Sequence, residues 1–176
     1  MEENGLGPND IERLKAQPHP MVQFRLWQEN KLRTPDDYGF SIPYLVACAA
    51  HRINPAHWHD LEVRQDARIR EFMQRVEFSI VVDEKDFGLA KLEDPRTFQM
   101  RIELVAKGKT FQEKIPHVKG TWAPEEFRNT DQELVQKFTD NVSRVLPLNR
   151  TNEAAQTLLE LEKLSTVAQL MQMVVP

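Results

Sequence analysis

Met100-Arg101-Ile102-Glu103-Leu104-Val105-Ala106-Lys107-Gly108-Lys109-Thr110 decides the fold class. Met100, Ile102, Leu104 and Ala106 alternate with Arg101, Glu103 and Lys107. A strand with one buried face gives this period of two. Lys107-Gly108-Lys109 supplies the hairpin turn, and Thr110 to Val118 forms the return strand. Upstream, Val76, Phe78, Ile80 and Val82 alternate with Glu77, Ser79 and Asp83 in the same way. The segment Glu84–Phe98 joins the two strands and carries Phe87, Leu89 and Leu92, which marks it for packing. Near the start, Ile11 to Ala16 alternates as a short strand, ended by Pro18 and Pro20.

Helical periods lie on either side. Ser41 can cap a helix over Ser41–Arg52, with Pro43 tolerated in its first turn. Asp66–Arg75 carries Ile69, Phe72 and Met73 at helical spacing. Thr34-Pro35-Asp36-Asp37 is turn chemistry, and Met21–Trp27 suits either a strand or an apolar loop. Thr130 and Glu133 form a capping box for a helix that Pro147 stops. Two more helices follow, over Asn152–Leu164 and Thr166–Val174. Strands and helices in separate runs indicate an α+β fold with an antiparallel sheet. The expected organisation is a polar lead-in over residues 1–10 and one domain over residues 11–176.

Composition narrows the function. The chain has 176 residues, 40% hydrophobic and 28% charged, with a formal net charge of −4. There is no basic stripe for nucleic acid and no apolar run long enough to span a membrane. The acidic start, Met1-Glu2-Glu3, is unlike a secretory signal. The one cysteine, Cys48, cannot form an intrachain disulfide, so the expected compartment is the cytoplasm.

Several stretches, in order, resemble the C-terminal lid domain of the MmgE/PrpD family. Gly7-Pro8-Asn9-Asp10-Ile11-Glu12 is similar to the start of that domain. Phe40-Ser41-Ile42-Pro43-Tyr44-Leu45-Val46-Ala47 is similar to one of its helix starts. Asp66–Val76, His117-Val118-Lys119-Gly120, Asp131–Pro147 and Leu159–Leu164 resemble its later segments. The chain departs from the family at Ala50-His51-Arg52-Ile53-Asn54-Pro55, where the family usually turns on a glycine.

The family includes 2-methylcitrate dehydratase, cis-aconitate decarboxylase and iminodisuccinate epimerase. The resemblance implies proton abstraction next to a carboxylate of a small di- or tricarboxylate, by side-chain acid–base chemistry without metal or organic cofactor. Most of the family's catalytic groups lie on a helical N-terminal domain that nothing here matches. The expectation is a lid-only subunit, inactive alone, completed by a separately encoded helical subunit in an oligomer. The alternative is a non-catalytic binding or oligomerisation module.

Tyr44 matches the family tyrosine that reaches into the cleft, so the resemblance implies a catalytic role. The bland alternative is a partly buried phenol bonded to a backbone carbonyl. Ser41, His117 and Lys119 are candidates for binding substrate carboxylates, against an N-cap for Ser41 and a solvated loop for the basic pair. No histidine is placed by sequence to activate Cys48, which reads as a small core residue. His57-Trp58-His59-Asp60 reads as a polar loop anchored by its tryptophan, because a metal would need a third ligand.

Overall fold

Strands β3 (Met100–Ala106) and β4 (Lys109–Ile115) pair antiparallel, with Leu104 opposite Phe111 and Val105 opposite Thr110. Lys107 and Gly108 both have positive φ, at 52° and 69°, as a two-residue hairpin turn of this hand requires. The computed structural model describes residues 1–18, 25–78, 100–115, 118–120 and 125–175. The expected strand beyond Phe78, the connection Glu84–Phe98, residues 21–24 and His117 lie outside the described residues.

The sheet has the order β2-β1-β3-β4, where β1 is Ile11–Gln17 and β2 is Val76–Phe78. β1 pairs antiparallel with β3, so Leu14, Leu104 and Phe111 lie in one row. β1 pairs parallel with β2, through Leu14 and Val76. The sheet is therefore mixed, which corrects the expected antiparallel one. The reason is the helical connection between β1 and β2, which returns the chain to the same end of the sheet; parallel neighbours need such a crossover.

That connection holds α1 (Arg25–Gln28), α2 (Pro35–Phe40), α3 (Ile42–Ala50), α4 (Leu61–Gln65) and α5 (Ala67–Met73). Thr34-Pro35-Asp36-Asp37, read as a turn, is the capped start of α2: Thr34 is the N-cap and Asp37 returns the bond to its N–H. α3 packs against α5 and β2. Tyr44, Ala47, Cys48, Ile69, Phe72 and Met73 from these helices meet Ile11, Leu14, Ala16, Leu104 and Ala106 in the core. Leu6 is buried in the same core, so the polar lead-in is tied to the fold. Arg13, on the opposite face of the sheet, bonds Glu77 and Glu103 at 3.5 and 3.4 Å.

The glycine missing from residues 50–55 is replaced in kind. Arg52 takes a positive φ of 57°. Its N–H donates to the Ala49 carbonyl at 3.0 Å, and the Ile53 N–H donates to the Cys48 carbonyl at 3.1 Å. These paired bonds close a helix in the way that usually recruits glycine. A left-handed conformation costs an L-residue about 1–2 kcal/mol, partly offset by the greater unfolded-state freedom of glycine. The Arg52–Glu2 ion pair at 3.2 Å is exposed and offsets little. Arg52→Gly is expected to stabilise the chain by about 0.5–1 kcal/mol. A lower urea midpoint would refute this account of the turn.

The backbone packs as two compact units, Met1–Phe127 and Arg128–Pro176, where one domain over residues 11–176 is the sequence expectation. In the second unit, α7 (Leu148–Leu159) packs against both α6 (Asp131–Val142) and α8 (Val167–Val174). Thr130 and Glu133 form the expected capping box. The buried residues of this unit are Leu146, Thr151, Ala154 and Ala155. Leu158, Leu161 and Met171 are exposed. Among the described residues, no helix is long and apolar enough to cross a membrane.

Candidate functional site

Ser41 ends α2 and begins α3, and its hydroxyl is used twice. It donates to the Glu29 carbonyl at 2.7 Å and accepts the Tyr44 N–H at 3.3 Å. The second bond is the expected N-cap. The first ties the segment after α1 to the start of α3. Ser41 is fully buried, so no substrate carboxylate reaches it in this conformation.

Tyr44 lies in the first turn of α3 and is 1% exposed. Its hydroxyl donates to the Trp58 carbonyl at 2.5 Å. Burial, first of all, holds the phenol well above its ordinary pKa, so it stays protonated. Tyr38 meets the Tyr44 ring edge-on at 4.9 Å, and the Arg64 guanidinium lies 5.5 Å from the centre of the Tyr38 ring. The turn that carries Trp58 is itself anchored. The Trp58 indole donates to the Ile53 carbonyl at 2.8 Å, and His57 Nδ1 bonds Asp60 at the same distance. A Cβ placed on Gly39 would come within 3.3 Å of His59 Cε1, so the imidazole packs close over α2.

The structure thus brings Ser41 and Tyr44 together in one network, each satisfied by a backbone carbonyl. Lys119 is exposed in the turn at residues 119–120, and His117 lies outside the described residues. Among the described residues, no group of three or more His, Cys, Asp or Glu is placed to hold a metal ion. Trp58, as acceptor for the phenol, escaped sequence reasoning, because a backbone carbonyl in a loop leaves no mark in the pattern.

Cys48 sits one turn beyond Tyr44 and is fully buried. Burial, its main influence, pushes the thiol up to about 11. Little thiolate exists at pH 8, and thiolate is the reactive form. The folded chain is expected to leave Cys48 unmodified by an aromatic disulfide reagent at pH 8, with one equivalent reacting after denaturation. Rapid reaction of the native thiol would contradict the placement.

Comparison with known proteins adds one match. The family model of the MmgE/PrpD C-terminal domain matches residues 1–162. No curated protein matches the chain.

Proposed function

Because the chain belongs to the MmgE/PrpD family, we propose that it is the lid of an enzyme that abstracts a proton next to a carboxylate of a small di- or tricarboxylate. Loss of water, loss of carbon dioxide or reprotonation would complete the reaction. A separate helical polypeptide supplies the general base and most of the acid. The observation that carries this reading is the match of residues 1–162, the first compact unit and part of the second, to the C-terminal domain of the family. Tyr44 serves as a neutral proton donor, and His117 and Lys119 meet a substrate carboxylate. Tyr44 can do so only by exchanging its Trp58 acceptor, so the Pro55–Asp60 turn must give way when the lid closes. Ser41 holds the helix start in place for that exchange.

One observation favours a second reading, a binding or oligomerisation module without catalysis. The Tyr44 phenol is buried and already has an acceptor, which is how a structural tyrosine is built.

Reconstitution tests the proposal. The chain is co-expressed with a helical MmgE/PrpD N-terminal-type polypeptide from the same genome and assayed on di- and tricarboxylates. The chain alone is expected to be inert and the complex active. A chain that remains a monomer or homo-oligomer with every such partner would defeat the reading.

A further inference from the structure

We infer that the segment from α1 to α2 forms an anion seat for a small di- or tricarboxylate. The identity of the ligand rests on the function proposed above; the seat rests on geometry. A cavity of about 740 Å³ is lined by Arg25, Gln28, Glu29, Lys31, Arg33 and Asp37, within the range of small-ligand clefts.

Three cations and two acids line it, and backbone N–H groups hold one oxygen of each acid. The Glu29 carboxylate accepts the N–H groups of Asn30 and Lys31 at 3.0 and 2.8 Å. Asp37 accepts those of Arg33 and Thr34, both at 2.8 Å. One oxygen of each acid thus shapes the backbone, and the cavity carries three positive charges against two negative ones. Among the described residues, none of the three cations lies within ion-pair distance of a carboxylate.

The seat is also held in shape. Buried Ser41 bonds the Glu29 carbonyl at 2.7 Å. Trp27 stacks edge-on against Phe40 at 5.3 Å. Two guanidinium groups and an ammonium on a fixed segment match a ligand with two or three carboxylates, because the planar guanidinium fork fits a carboxylate with two parallel bonds. Phosphate shares that chemistry but presents only one centre.

The test titrates the full isotope-labelled chain with citrate, succinate and inorganic phosphate at constant ionic strength, following amide shifts. Citrate is expected to give saturable shifts confined to residues 25–37 and to bind tighter than phosphate. The Arg25→Gln/Lys31→Gln/Arg33→Gln variant should bind citrate at least about tenfold more weakly, the scale of one lost charge-assisted bond. All three side chains are exposed, so the fold should survive. A Lys109→Gln/Lys114→Gln variant on β4 should change citrate binding less than about twofold. Unchanged affinity in the triple variant, or phosphate binding as tightly as citrate, overturns the seat. A reconstituted complex that binds citrate through these residues, yet turns over no di- or tricarboxylate, supports the seat and defeats the proposed function instead.

Discussion

Tyr44→Phe is expected to lower turnover of the reconstituted enzyme about 10²-fold or more, the scale of a lost general acid. The chain itself should lose only about 1–2 kcal/mol, because a phenylalanine ring fits the space and the lost bond leaves the Trp58 carbonyl with one donor fewer. These two consequences come apart in measurement. A structural tyrosine would lower the urea midpoint and leave the rate of the remaining folded enzyme within about threefold of normal. A proton donor would lower kcat at every temperature where the variant is fully folded. The pH profile adds a sign. Burial raises the Tyr44 pKa, so the phenol is neutral below and through its ordinary range and supplies no ionisation there. The kcat deficit should therefore be constant from pH 6 to pH 9. A deficit that vanished as pH rose would assign the proton to another group, and no deficit at all would favour the oligomerisation module.

Local rules made much of this chain legible. The hairpin over residues 100–115 follows from strict alternation around Lys107-Gly108. The capped starts of α3 and α6 follow from hydroxyls placed before a helical period. The partner of β2 was not legible, because Val76 pairs with Leu14 across the long helical connection and nothing local records that choice. The Thr34–Asp37 segment misled for a different reason. A capped helix start and a β-turn use the same residues, and only the following helical turn separates them. Pro147 misled by position. The α6 helix ends at Val142, and Pro147 is the N-cap of α7 rather than the stop of α6.

The candidate site divides along the same line. Ser41 as an N-cap was readable from its neighbours. Its second bond, to the Glu29 carbonyl, joins residues 12 apart and was not. The charges of Arg25, Lys31 and Arg33 stand in plain view in the sequence. What could not be read is that Glu29 and Asp37 turn a carboxylate oxygen onto backbone N–H groups, which fixes the shape of this mixed-charge stretch.

Phe72→Ala is expected to cost about 3–5 kcal/mol, a large share of the total for a chain of this size. Phe72 is 2% exposed at the centre of the α3–α5 packing. His51 meets its ring edge-on at 5.5 Å, and the Arg75 guanidinium lies 6.0 Å from its centre. Arg75 also donates to the Ile11 carbonyl at 3.0 Å, and its own carbonyl accepts the Leu14 N–H at 2.9 Å. Losing the ring therefore removes buried area and loosens the residue that joins α5 to β1. Urea unfolding followed by circular dichroism should show the loss as a lower midpoint. Phe111→Ala, at a half-buried position in the row Leu14–Leu104–Phe111, should cost less. A Phe72 penalty no larger than that of Phe111 would place the stabilising core elsewhere in the unit. In the reconstituted enzyme the same variant should lose activity only as it unfolds, with KM unchanged in the folded fraction, because the ring supports the frame behind Tyr44 and meets no substrate.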